Sequence, residues 1–165
     1  MLGKRFLKKI PVFILILLNF GCDQVSKGLV REKVAPFDYI EVFNDNLILT
    51  NVENTGAMMS VGQGLPPVPK IILLQLLPVV ILSILIYKIL HKTQLDRWLA
   101  IAFAFVVGGG VGNLIDRIAY GSVTDFLQIR IGSLKTGIFN MADVSVTVGA
   151  LFILFIAIRH KKLHF

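Results

Sequence analysis

Charge is scarce in this chain. Only 16% of its 165 residues are charged, against about 25% in an ordinary soluble domain. Hydrophobic residues make up 55%, and the mean hydropathy is +0.77. So little charge argues against a soluble globular protein and makes the bilayer the expected solvent. Cysteine is almost absent too: Cys22 stands alone, so no intramolecular disulfide can form and cysteine usage carries no information about redox compartment. Internal repeats, low-complexity tracts and polar linkers are missing from the sequence, which reads as a single domain over residues 1–165.

What the chain has instead is long apolar runs. About 30 Å of hydrocarbon takes roughly 20 helical residues to cross, and the stretches near 10–30, 71–87, 98–116 and 139–158 are long and apolar enough. Pro78 falls inside the second, where a neighbouring helix makes a kink tolerable. The expected fold class is an all-α membrane protein, a bundle of four transmembrane helices. Between the spans, YIEVF and LILTNV flank Asn44, Asp45 and Asn46, the pattern of two strands around a polar turn. DFLQIRI alternates at period two. These signals fall in connections 31–70 and 117–138 and predict a small antiparallel sheet on the outer face.

The net charge of +7 would suit nucleic acid, but its placement does not. Lys4, Arg5, Lys8 and Lys9 precede the first span, Lys88, Lys92 and Arg97 lie between the second and third, and Arg159, Lys161 and Lys162 follow the fourth. Basic residues close to span ends mark the cytoplasmic side, so both termini are expected there and no nucleic-acid partner is. Asp96 is the one acid on that side, suited to capping the third span or pairing with a base. His91, His160 and His164 lie among the lysines and read as solvated interfacial residues. No metal or cofactor is expected.

Ionisable groups within a span are costly and are functional candidates by default. At 1.5 Å per residue, Asp23 lies ~20 Å from the inner end of its span, Asp116 ~27 Å and Asp143 ~23 Å, which places them all near the outer boundary of the membrane. Asp116 sits in GGGVGNLIDR, where Gly108 and Gly112 form a GxxxG face for close helix approach, and Asn113 is one turn earlier. Asp143 sits in FNMAD with Asn140 one turn earlier. Each acid thus has an amide at a spacing that shares its helix face. Two carboxyl groups held close together share a proton, so one can take a proton from water while the other polarises a carbonyl. Spacing alone leaves three possibilities open: this chemistry, acids paired with Lys27 or Arg117 for packing, or an ion or proton pathway in a small membrane transporter. A non-enzymatic assembly subunit that packs through GGGVG is a further alternative.

The stretch LLNFGCDQVSK, residues 17–27, raises a separate question. Basic residues, an apolar run and a small residue before Cys22 look like a lipoprotein signal peptide. A lipid anchor there should leave a soluble remainder, yet apolar runs continue to the end of the chain.

Taken together, DQVSK, NTGAMMS, GGGVGNLIDR, VTDF and FNMAD resemble, in order, the DQxxK, NxGA, GGxxGNxxDR, VxDF and FNxAD elements of bacterial lipoprotein signal peptidase, or signal peptidase II. The resemblance implies a metal-independent aspartic endopeptidase of the inner membrane, with both termini cytoplasmic and the active site near the outer leaflet. It implies diacylglyceryl-modified prolipoprotein substrates, cut before the lipidated cysteine, with membrane lipid the other partner and a monomer expected. Asp116 and Asp143 become the catalytic pair. Asn113, Arg117, Asn140 and Ala142 surround it, and Asp23, Lys27, Asn54, Gly56 and Asp125 support it or meet substrate. In the loop, Asn54 and Gly56 are expected to bring backbone close to the peptide. The chain departs from the family pattern at Met59, usually aromatic, and at Gly110, usually alanine. Met58 and Met59 are expected to pack under the loop. Asn19 stands where a lipobox has leucine, so Cys22 is expected to be a small packing residue of the first span.

Overall fold

The computed structural model describes residues 9–43, 46–57, 60–92 and 94–159. Four helices in it are long and apolar enough to cross a membrane. Helix α1, Ile10–Lys33, starts with a proline in its first turn, where the missing N–H would have had no helical partner anyway. Strands β1, Ile40–Phe43, and β2, Leu47–Asn54, follow. Helix α2, Pro67–His91, contains a π-helical turn over Ile72–Leu76 in which the Leu77 N–H reaches back to the Ile72 carbonyl. Pro78 comes next. Its ring would clash with the carbonyl four residues back, and the wider turn sits where that clash would fall. Helix continues on both sides of it.

Helix α3, Arg97–Tyr120, is framed by defined caps. The Asp96 carboxylate accepts the Trp98 and Leu99 N–H groups at 2.9 and 3.0 Å, the capping role expected for that acid. Gly121 ends the helix in the left-handed region at φ 75°, which a Cβ would disfavour. Strand β3, Val123–Ile131, a short β4, Leu134–Lys135, and helix α4, Met141–Arg159, complete the chain.

Helix α3 is the centre of the bundle: half of its apolar window is buried, against 11%, 6% and 22% for α1, α2 and α4. Its glycines make that possible. A Cβ at Gly108 would lie 2.7 Å from Asn19 Cβ on α1, one at Gly109 would lie 2.9 Å from Ser145 Cβ on α4 and strike the Ala142 carbonyl, and one at Gly110 would lie 2.7 Å from Leu82 Cδ2 on α2. Adjacent glycines therefore seat three different helices. Gly109→Ala pushes α4 backbone away and should cost about 1–3 kcal/mol, whereas Gly110→Ala meets only the tip of a flexible leucine and should be near neutral. Thermal unfolding of the two variants in the same detergent checks the contrast.

Two clusters form the interior. Leu82, Ile89, Leu99, Phe103, Val107 and Ile156 fill the bundle, and Val30, Val34 and Phe126 pack beneath the sheet. The outward faces of the helices stay apolar, with Leu17, Val80, Leu151 and Phe155 all more than half exposed. In water so much apolar surface would be anomalous; against lipid it is required.

The sheet is antiparallel with order β1-β2-β3-β4. It sits at the end where α1 and α3 finish and α2 and α4 begin. Val52 pairs with Asp125 and Asn54 with Val123, so the NTG segment and VTDF are cross-strand neighbours. The Phe139 carbonyl accepts N–H bonds from both Phe126 and Leu127, which fixes the entry into α4 against β3. Helices α1, α2 and α3 extend beyond the stretches 10–30, 71–87 and 98–116, and α4 begins two residues later than 139; β1, β2 and β3 overlap the strand patterns, and β4 was not anticipated. Asn44 and Asp45 of the turn, together with Met58, Met59, His160, His164 and the outermost flanking lysines, lie outside the described residues.

Candidate active site

Asp23, Lys27 and Arg31 follow one another at helical spacing on α1, and the first two lie in the bundle interior. Asp23 and Lys27 are one turn apart and both fully buried, as is Asp116 on α3. Lys27 Nζ lies 2.7 Å from Asp23 Oδ2 and 2.8 Å from Asn113 Oδ1. It also lies 2.7 Å from Asp116 Oδ2 as an ion pair, although that oxygen has no aligned hydrogen bond. One turn further on, Arg31 Nη2 stands 3.4 Å from Asp116 Oδ1. Gln24 Nε2 reaches Asp23 at 3.1 Å and Asp116 at 3.2 Å. Two fully buried carboxylates thus share Lys27, and Asp116 meets Arg31 as well. Gly112 is what lets α1 in, since a Cβ there would strike the Asp23 carboxylate.

The start of α4 forms the second half of the site. Asn140 Oδ1 accepts the Asp143 N–H at 2.9 Å, and Asp143 Oδ2 faces the Asn140 N–H at 3.3 Å, a reciprocal capping arrangement. Asp23 Oδ1 accepts the Ala142 N–H at 2.8 Å. The otherwise unpaired N–H groups of this helix start are therefore satisfied by site residues, which ties Asp143 to the position of the helix itself. Asn113 Nδ2 donates to Asp143 Oδ1 at 2.8 Å.

Asp125, on β3, closes the arrangement. It is 3% exposed, with its two oxygens accepting from Asn54 Nδ2 at 2.8 Å and Asn140 Nδ2 at 2.6 Å. Burial pushes its carboxyl up to about 6; the Asn54 hydrogen bond opposes that and the neighbouring Asp143 charge adds to it. Because this carboxyl holds its proton more tightly when folded than its ordinary 3.8, the folded state binds more protons between those values. Its stabilising contribution is complete below about 4 and is lost as pH rises through about 6. Melting temperature should fall across that interval, and Asp125→Asn should flatten the profile there.

The NTG loop is held from two sides. Asn54 Oδ1 accepts the Gly56 N–H at 2.8 Å and Asn54 Nδ2 also reaches the Ala57 carbonyl at 2.9 Å. Arg117 Nη2 donates to the Gly56 carbonyl at 2.9 Å. A Cβ at Gly56 would lie 2.7 Å from the Val61 carbonyl oxygen and 2.8 Å from that of Ser60, so glycine is needed here by loop packing. Asp143, half-buried, borders a mainly apolar groove of about 310 Å³ whose walls include Ile138, Phe139, Val144, Thr147 and Val148.

Every site residue expected from sequence gathers at this end of the bundle, but the pairings differ. Asn113 shares a helix face with Asp116 yet bonds Asp143 across the interface, because Lys27 already occupies the space beside Asp116. The amide that meets Asp116 is Gln24. Of the two bases expected beside the acids, Lys27 meets Asp23 and Asp116, while Arg117 holds the loop carbonyl. Cys22, expected as a packing residue, is exposed on the surface of α1, since the inward face there belongs to Asp23 and Asn19. Gln24, Arg31, Thr124 and Glu53 were not anticipated: Arg31 Nε bonds Thr124 Oγ1 at 2.7 Å, and Thr124 bonds Glu53 at 2.6 Å. The i, i+4, i+8 run of Asp23, Lys27 and Arg31 was a legible signal for the second of these.

The family model described as Signal peptidase (SPase) II matches residues 15–159. A lipoprotein signal peptidase of Halothermothrix orenii is 34% identical over 151 residues, 92% of this chain and 97% of the relative. One from Listeria monocytogenes is 32% identical over 142 residues, covering 86% and 89%. Among solved structures, a bacterial membrane enzyme determined by the in meso method superposes with a TM-score of 0.81 at 25% identity, over 94% of this chain and 93% of the other. A second superposes with a TM-score of 0.78 at 28% identity, over 88% and 90%.

Proposed function

Because this chain belongs to the signal peptidase II family, a family of membrane proteases, we propose that it removes signal peptides from lipoprotein precursors by aspartic chemistry without a metal. The substrate is a diacylglyceryl-modified prolipoprotein, and the cut falls just before the lipidated cysteine. The protein is a multi-pass protein of the bacterial inner membrane with both termini in the cytoplasm, which puts the sheet outside as an extracytoplasmic cap and the site near the outer leaflet. A signal helix reaches it by diffusing laterally, with its acyl chains already at that depth.

The catalytic carboxyl groups are Asp143 and Asp125, the latter in place of Asp116. Support for Asp125 comes from Asn140, which donates to Asp125 through its amide while its carbonyl oxygen holds the Asp143 N–H. One asparagine thus orients both acids. Further support is the Asp125 carboxyl, raised first by burial and then by the neighbouring Asp143 charge, which favours its protonated form. Asp116, by contrast, is surrounded by Lys27, Gln24 and Arg31 and has no exposure to a substrate. It serves with Asp23 and Lys27 to hold α1 against α3 and α4.

In this reading one carboxylate of the pair takes a proton from water as it attacks the carbonyl before the modified cysteine. The other, protonated, donates to the developing oxyanion. The leaving amine then takes up a proton. Arg117 fixes the NTG loop through the Gly56 carbonyl, and the groove beside Asp143 accepts apolar side chains of the substrate. The alternative of a transport pathway is opposed by the apolar core below the acids, where Leu82, Phe103 and Val107 pack together.

Purified protein in detergent should cleave a diacylglyceryl-modified precursor and leave the same precursor without lipid intact. Equal cleavage of both would remove the assigned substrate class.

A further inference from the structure

Outside the site, where α1 ends, lies a second cavity of about 280 Å³ lined by Arg31, Pro36, Phe37, Asn51 and Glu53. Its chemistry is unusual for a surface dent. The Arg31 guanidinium is positioned by Nε on Thr124 at 2.7 Å and by the Tyr120 ring, whose centroid lies 4.4 Å from Cζ. Its Nη2 is buried and faces Asp116 Oδ1 at 3.4 Å without an aligned hydrogen bond, whereas Nη1 has no protein acceptor among the described residues. Of five donors on a guanidinium, the two on Nη1 are left open.

Glu53 supplies the other charge. Its oxygens accept hydroxyls from Thr124 at 2.6 Å and from Ser122, which orients the carboxylate and leaves it lone pairs to spare. The apolar wall is equally fixed. The Phe37 N–H bonds the Asn51 carbonyl at 3.0 Å, and Asn51 Nδ2 bonds the Val34 carbonyl at 2.8 Å. Phe37 has φ 64°, a conformation costly for a residue with a bulky side chain, and the residue is 79% exposed. Tyr39 and Tyr120, also largely exposed, stand near the same level. Aromatic rings at the ends of spans mark the membrane–water interface.

A guanidinium with one open nitrogen, an oriented carboxylate and an exposed aromatic residue therefore converge at headgroup depth. We propose that this cavity binds the headgroup of a zwitterionic phospholipid that carries a primary ammonium. The phosphate sits on the Arg31 Nη1 N–H groups, since a guanidinium makes charge-assisted hydrogen bonds to phosphate oxygens. The ammonium donates to Glu53, and the glycerol end lies against Pro36 and Phe37. An anionic glycerol headgroup offers Arg31 the same phosphate but gives Glu53 no positive charge.

The test is native mass spectrometry of the full chain with equal amounts of phosphatidylethanolamine and phosphatidylglycerol. The ethanolamine lipid should be retained roughly tenfold better, the worth of one charge-assisted hydrogen bond. Glu53→Gln keeps an oxygen for the hydroxyls and should bring the two lipids close to parity while both still bind. Equal retention by the unmodified protein, or an unchanged preference in Glu53→Gln, would overturn the proposal. Protection against thermal unfolding by soluble phosphoethanolamine as strong as that by the lipid would exclude a lipid site.

Discussion

Lys27→Met costs about 3–5 kcal/mol of stability, the usual penalty for removing one partner of a buried ion pair. Lys27 is the one cation within 3 Å of both Asp23 and Asp116, at 2.7 Å from each, and all three side chains are completely buried. Methionine fills the space of the stem but leaves two carboxylates facing one another with Arg31 3.4 Å from one of them. The loss spreads to α4, because Asp23 also anchors the Ala142 N–H. Thermal unfolding in detergent should show a large drop for Lys27→Met. Much of it should return when Asp23→Asn and Asp116→Asn are added, since no uncompensated charge then remains. A triple variant no more stable than the single one would contradict this account of the cluster.

Asp143→Asn lowers the cleavage rate by about 10²–10⁴, the range attributed to a positioned acid or base. The effect should fall on the rate at saturating substrate and leave KM little changed, because the amide occupies the same volume beside the groove. Folding is expected to survive: Asn140 Oδ1 accepts the backbone N–H of residue 143, a bond that does not depend on the carboxylate. Unchanged melting temperature with lost turnover is the expected pattern. A matched fall in both would show that Asp143 holds the helix start and does not take part in the chemistry.

Much of this protein could be read before its structure. Span positions follow from hydropathy because lipid leaves helices few alternatives, and the period-two alternation of DFLQIRI marked β3. The gathering of the motif residues at one end followed from helix rise applied to spans of opposite direction. Pairings were not legible in the same way. Spacing along α3 joined Asn113 to Asp116, but the partner of a side chain in a bundle is decided by which helix faces it. Lys27 entering from α1 beside Gly112 takes the place next to Asp116, and Asn113 is left to Asp143. Asp125 was visible only as part of VTDF; that it meets Asn140 depends on strand register and on the Phe139 bonds to β3. The π turn ahead of Pro78 and the role of Arg31 likewise depend on contacts between distant segments.

The central claim is that Asp125, tied to Asp143 through Asn140, is the second catalytic acid. The most direct measurement compares Asp125→Asn with Asp116→Asn, each purified, matched for folded fraction, and given the same diacylglyceryl-modified precursor over a range of pH. The account predicts no cleavage above background for Asp125→Asn, and residual cleavage with an unchanged pH profile for a less stable Asp116→Asn. Sustained turnover by Asp125→Asn, with Asp116→Asn fully folded and inactive, would contradict it.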